Sequence, residues 1–181
     1  MTDHQLMLAV RDGDLDKLGH LFERYHKRLY NYFLRDLEDP QSSEDIVQEV
    51  FLKMLRYRHT YRGEGQFKTW MYSIARNAKI DHFKKSNRYV STDGLDALAA
   101  LNPNPEESYE RSSRHGALHD ALNRLSEDKR DVLILSRFQN LKYEEISKIL
   151  DCPVGTIKAR VFHAIRDLKK YLGQDGGETK P

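Results

Sequence analysis

Hydrophobic positions recur every three or four residues along most of this chain, which is the spacing of one face of an α-helix. Residues 14–36 put Leu15, Leu18, Phe22, Tyr25, Leu29 and Phe33 on one such face. Asp39-Pro40 ends that run, because the residue before proline is driven out of the α region. Ser42-Ser43-Glu44-Asp45 then has the form of a capping box, and the following helix turns Val47, Val50, Phe51, Met54 and Leu55 inward. Gly63 and Gly65 mark a loop over Tyr61 to Thr69. A long helix from about Phe67 to Lys85 follows, with Trp70, Ile74 and Ala78 inward and Asn77, Asp81, Lys84 and Arg88 on the opposite stripe.

The periodicity fails from Ser91 to about Ser112, where Asn102-Pro103-Asn104-Pro105 forbids a helix and Asp93, Asp96, Glu106, Glu107 and Glu110 make the chain acidic. It returns as helices near 114–125 and from Ser126 to about Phe138, then as a helical pair around the turn Asp151-Cys152-Pro153-Val154-Gly155-Thr156. The last helix buries Val154, Ile157, Val161, Ala164, Leu168 and Leu172 and is expected to stop at Gly173. The expected architecture is all-α, with two small helical domains joined by a flexible acidic linker. The boundaries are 1–90, a linker over 91–112, a second domain over 113–173 and a disordered tail over 174–181. The linker leaves the relative orientation of the domains open.

Charge sharpens this picture through its distribution. Residues 36–50 hold six acids and no Lys or Arg, while residues 68–90 hold six bases against the single acid Asp81. Segregated charge points to separate surfaces for separate partners. The longest aliphatic run, Val132 to Leu135, is too short to span a membrane, and no leader peptide is visible at the polar N-terminus. One cysteine, Cys152, excludes an internal disulfide framework. A cytoplasmic location without membrane insertion is expected.

The final helix carries Lys158, Arg160, Phe162, His163 and Arg166 opposite its apolar stripe. A helix apolar on one side and cationic on the other, behind a tight turn, is suited to the DNA major groove. Phe162 on that polar side wants a partner, and a thymine methyl or sugar edge would serve. Between Tyr57 and Arg88, aromatic and cationic residues alternate, a composition suited to unpaired bases, although Trp70 reads better as core. The acidic face of Asp45, Gln48 and Glu49 gains meaning only with a cationic partner helix.

Three motifs in order, IVQEVFLKMLR (46–56), YRGEGQFKTWMYSIARNAKIDHF (61–83) and LKYEEISKILDCPVGTIKARV (141–161), resemble bacterial sigma factors of the sigma-70 superfamily, more narrowly the extracytoplasmic-function group. The resemblance implies binding to core RNA polymerase, through the β′ coiled coil and the β flap, and direction of that enzyme to promoters. It implies core contacts at Asp45, Gln48, Glu49 and Lys53. It implies −10 recognition and strand opening by Arg62, Lys68, Asn77, Asp81, Lys84 and Arg88. It implies −35 duplex recognition by Lys158, Arg160, Phe162, His163 and Arg166, with an anti-sigma factor as a further partner. Asp81 departs from the neutral amide that would suit a base contact, Ala159 cannot donate a hydrogen bond, and His163 stands where arginine is more usual.

Two rivals fare worse. A stand-alone helix-turn-helix repressor leaves the first domain without a task and shows no heptad seam for dimerisation. An enzyme finds little support: Gly63 and Gly65 form no phosphate loop, and His115 and His119 lack a third metal ligand. We therefore expect no catalytic residue, no metal and no cofactor.

Overall fold

The computed structural model describes the backbone of residues 1–90 and 113–175 and the side chains of 1–85 and 116–173. Among the described residues the fold is helical throughout: α1 (Asp3–Arg11), α2 (Lys17–Leu37), α3 (Pro40–Arg56), α4 (Phe67–Val90), α5 (Ser113–Asn123), α6 (Glu127–Leu133), α7 (Tyr143–Leu150) and α8 (Val154–Asp175). A 3-10 turn, Arg58–Thr60, leads out of α3, and a π-turn, Ile134–Phe138, extends α6. The acidic segment expected to act as a linker, and the tail from residue 176 onward, lie outside the described residues.

Helices α1 to α4 form the first domain. Helix α1 escapes the hydrophobic pattern read above, yet Thr2 and Gln5 cap it reciprocally: Gln5 N–H donates to the Thr2 hydroxyl and Thr2 N–H to Gln5 Oε1. Its Leu6, Met7 and Val10 pack under α2. Helix α2 begins at Lys17 rather than residue 14 and leaves Leu15 ahead of it 47 % exposed, and within the helix Phe22 is 42 % exposed instead of inward. Leu21, Tyr25, Leu29, Tyr32 and Phe33 fill the core from α2.

The start of α3 also differs from the expected capping box. Asp39 is the N-cap, its carboxylate accepting from the Gln41 and Ser42 N–H groups, and Pro40 occupies the first turn, where its missing N–H costs nothing. Ser43 is fully buried and donates its hydroxyl to the Asp39 carbonyl.

Helices α5 to α8 form the second domain around Leu122, Val132, Leu135, Ile146, Ile157, Val161 and Ala164. Helix α8 continues past Gly173 to Asp175, so the glycine is not a stop. The π-turn is anchored by the Gln139 N–H bonding the Ile134 carbonyl five residues back. Asn140 follows in the left-handed region, with φ of 55°.

The domains do not stand apart. Helix α4 packs on α7, and α2 touches the π-turn, so both domains feed one continuous core. Sequence periodicity cannot report this contact, because it depends on which polar groups meet across a segment with no pattern.

Candidate nucleic-acid and polymerase interfaces

The helix-turn-helix is built from α7 and α8. Helix α7 ends at Asp151 in the left-handed region (φ 50°), and the Ser147 hydroxyl donates to the Cys152 carbonyl at 2.6 Å. The Pro153 carbonyl accepts from Ile157 N–H, so proline sits at the mouth of α8 without sacrificing a bond. Ile157, Val161 and Ala164 are buried against the domain. That orientation leaves Lys158, His163 and Arg166 exposed and Phe162 66 % exposed, its ring edge-on to His163.

Arg160 behaves differently. Its guanidinium lies 2.8 Å from Asp128 on α6 and beside Cys152, and is only partly open to water. Cys152 is half-buried against the core.

The loop before α4 is held by aromatic contacts. Tyr61 is buried, meets the rings of Phe67 and Trp70, and pairs its hydroxyl with His4 Nδ1 at 3.0 Å. Asp3 accepts from the Tyr25 hydroxyl and from Arg24 at 2.7 Å. Burial pushes the Asp3 carboxyl up, but these two hydrogen bonds outweigh it and hold the carboxyl below its ordinary value. Gly63 has φ of +76° and lies against His4, whose ring a Cβ would approach to 3.0 Å, so a side chain there would be strained by the backbone angle and crowded by the ring. Thr2, Asp3, His4, Gly63, Gly65 and Lys68 border an open cleft of about 390 Å³.

Most aromatics of the cationic-aromatic stretch are therefore structural. Tyr61, Phe67 and Tyr72 are buried; Trp70 is half-buried with its indole N–H on the Thr60 hydroxyl at 3.3 Å. Tyr57 remains 43 % exposed.

Of the residues expected at the −10 element, Arg62, Asn77 and Lys84 are exposed and Lys68 is half-buried. The Arg88 side chain lies outside the described residues. Asp81 is engaged by Lys53 at 2.5 Å, which lowers its carboxyl below the ordinary value. That bond ties α3 to α4 and faces Asp81 toward an internal partner. Lys84 and Lys85 act in the same direction, each lowering the carboxyl further.

On α3, Asp45 and Gln48 are exposed, Glu49 is half-buried, and Leu52, one turn after Gln48, is 59 % exposed. The Lys53 side chain is only 13 % exposed, with Asp81 and Glu49 around its ammonium. Its place on the outer face is thus a bridge between helices. Leu52, an exposed apolar group on the same helix, was not among the expected contact residues.

The strongest electrostatic feature lies elsewhere. Lys79 on α4 is 1 % exposed, with its ammonium 2.7 Å from Asp36 on α2 and 3.1 Å from Asp131 on α6. Burial drives the Lys79 ammonium down, but the two carboxylates outweigh it and leave it above its ordinary value. Burial raises the Asp131 carboxyl, and Lys79 only partly offsets that. The sequence carried a signal for this lysine: it lies four and eight residues after Ala75 and Met71, on the buried stripe of α4.

Among the described residues no group of three or more His, Cys, Asp or Glu could hold a metal ion. His119 instead meets Glu38 at 3.0 Å. No helix among them is long and apolar enough to cross a membrane.

Comparisons with known proteins agree with this arrangement. Residues 21–89 match the family model for sigma-70 region 2, and residues 115–168 match that for sigma-70 region 4. The chain is 32 % identical to the RNA polymerase sigma-H factor of Pseudomonas aeruginosa, over 94 % of this chain and 93 % of that protein. It is 31 % identical to the ECF RNA polymerase sigma-E factor of Escherichia coli, over 91 % of each. In three dimensions it resembles the sigma factor RpoE of Bartonella quintana, solved in complex with the anti-sigma factor NepR, with a TM-score of 0.68 and 26 % identity over 86 % of this chain and 96 % of that one. CnrH, solved with the cytosolic domain of CnrY, shares the fold, with a TM-score of 0.73 at 16 % identity, over 96 % of this chain and 98 % of that one. With both regions matched in order along one chain, this protein belongs to the sigma-70 family, in its extracytoplasmic-function group of transcription initiation factors.

Proposed function

We propose that the chain divides promoter recognition between its two domains and delivers core RNA polymerase to the site. The first domain, residues 1–90, docks core polymerase on α3 and captures opened −10 DNA with the loop before α4 and α4 itself. The second, residues 113–173, reads the −35 duplex with α8. The observation that carries this reading is the exposed face of α8, where Lys158, Phe162, His163 and Arg166 project from a helix whose opposite side is sealed in the core.

Each surface has a task. Lys158 and Arg166 supply phosphate or guanine contacts, and Phe162 an apolar contact with a base edge. Asn77, with both donor and acceptor, suits an unpaired base, and Arg62, Lys68, Lys84 and Arg88 suit the strand's phosphates. Asp81 acts through Lys53 to orient α4 against α3. Asp45, Gln48 and Glu49 supply the acidic edge, and Leu52 the apolar centre, of a patch for the cationic β′ coiled coil. The β flap is the partner of the second domain. The complex of the Bartonella quintana relative with NepR supports an anti-sigma factor as a further partner. The chain acts inside the cell on DNA, not as an enzyme, and takes no cofactor.

The test separates the tasks. Asp45→Lys with Glu49→Lys should abolish co-elution with core polymerase. Lys158→Ala with Phe162→Ala should leave co-elution intact and remove −35-dependent run-off transcription. Equal loss of core binding in both variants would overturn the division.

A further inference from the structure

The division of labour above leaves α1 without a task, yet α1 shapes the loop before α4. Among the described residues the loop's own backbone bonds lie at its ends: Tyr61 N–H donates to the Arg58 carbonyl at 3.1 Å, and Thr69 N–H to the Gln66 carbonyl at 3.0 Å. Between them Gly63 and Gly65 take φ of 76° and 91°, and Gly65 has open space around it. A stretch built this way has little of its own to fix one conformation.

Helix α1 supplies what is missing. The Arg11 guanidinium donates to the Tyr61 carbonyl at 3.4 Å, where the chain enters the loop. His4 Nδ1 pairs with the Tyr61 hydroxyl at 3.0 Å, and the two rings meet edge-on. The next atom of the imidazole, Cε1, faces Gly63, where a Cβ would come within 3.0 Å of it and 3.3 Å of Leu8 Cδ2. One side chain thus touches the loop at its buried anchor and at a bend that only glycine takes without strain.

Helix α1 is itself fixed. Its Asp3 carboxylate accepts from the Tyr25 hydroxyl and from Arg24, both on α2, and Leu6, Met7 and Val10 are buried. Phe67, the first residue of α4, packs on the same Tyr25 ring with centres 5.4 Å apart. Packing is therefore continuous from α2 through α1 to the loop, and His4 is its last member.

We propose that His4 is a positioning residue for strand capture: it holds the loop over residues 61–66 in one shape before DNA arrives, which makes α1 part of the strand-opening apparatus. This inference rests on the assignment of that loop to opened −10 DNA. A loop ordered in advance binds more tightly, because its conformational entropy is not lost in the binding step. Without His4, capture of the strand has to order the loop as well. Docking through α3 and duplex binding through α8 do not use the loop, so they stay as they are.

The test uses holoenzyme on a promoter that it has selected from a randomised duplex library, with strand opening read by the permanganate reactivity of thymines. His4→Ala should slow opening about three- to tenfold, the range of one lost hydrogen bond, while core affinity and closed-complex affinity move by no more than about twofold. His4→Asn, whose side-chain amide can reach the Tyr61 hydroxyl from the place of Nδ1, should restore most of the rate. Gly63→Ala should slow opening by about tenfold in the wild-type chain and by less in the His4→Asn chain, which lacks Cε1. Opening at the wild-type rate in His4→Ala, with Asn77→Ala slow, overturns the positioning role and leaves the −10 assignment standing. Wild-type opening in both variants removes that assignment together with the proposal. An equal loss of core affinity in His4→Ala, or an asparagine variant as slow as the alanine one, makes His4 a residue of the fold alone and overturns the proposal. Equal losses for Gly63→Ala in the two backgrounds do the same.

Discussion

The two cationic helices α4 and α8 look alike on paper and differ in what their charges do. Helix α8 keeps Lys158 and Arg166 in water, opposite a sealed apolar face. Helix α4 buries Lys79 between two carboxylates, and its acid Asp81 engages Lys53. One helix leaves these cations exposed, and the other commits Lys79 to holding the protein together. A basic residue in a DNA-binding chain is therefore a reading group only after its internal partners are counted.

The widest separation between the helices should come from removing one lysine from each. Lys79→Ala leaves Asp131 buried without its cation and Asp36 with Arg130 alone, a change that costs about 3–5 kcal/mol. Lys158→Ala should stay within about 0.5 kcal/mol of wild type, as surface changes do. Urea denaturation of the free chain reads both. Equal midpoints would erase the contrast.

A contrast of the same kind exists within α8. Lys158→Ala with Phe162→Ala should weaken holoenzyme binding to a −35 duplex by about 2–4 kcal/mol, from roughly 1–3 kcal/mol per lost base contact. Arg160→Ala should cost less, because the guanidinium already faces Asp128, and an exposed pair of that kind contributes about 0.2–1 kcal/mol to stability. Anisotropy titrations of labelled duplex rank the two. An Arg160 loss as large as the double variant's would mean that the guanidinium swings out to the DNA.

The smallest effect concerns acid. Hydrogen bonds from Ser42, then from the Gln41 N–H, lower the Asp39 carboxyl below its ordinary value of 3.8. A carboxyl lowered on folding stabilises the protein above that value, and the contribution is lost as pH falls through the lower folded value. Asp39→Ala should therefore cost about 1 kcal/mol at pH 7 and less at pH 3, below the ordinary carboxyl value of 3.8. Denaturation at both pH values checks it, and a pH-independent difference would remove the charged cap. Lys79 has the opposite sign: lifted above 10.5, it contributes below that pH and loses its contribution as pH rises through its higher folded value.

Helix periodicity made the helical architecture and the helix-turn-helix legible, because the longer helices each show an apolar stripe. The exposed set on α8 followed from the same stripe. What escaped depended on partners remote in sequence. Asp81 reads as a base contact until Lys53, 28 residues earlier, is seen beside it. Phe22 fits the α2 stripe by count but stacks on His26 near the surface. Helix α1 carried a capping signature, Thr2 with Gln5, without a stripe long enough to notice. The domain contact was the least legible, since its two halves lie on either side of a segment without periodicity.

The π-turn at Ile134–Phe138 makes that contact fragile in an unusual way. Each residue of an α-helix turns the chain by about 100°, so a π-turn amounts to one extra residue that re-aims everything after it. Loss of a single codon between 134 and 137 would mend the helical ladder and still swing Gln139 away from Tyr72. Such a deletion would leave the sequences of α7 and α8 unchanged and remove the hydrogen bond that joins this turn to α4.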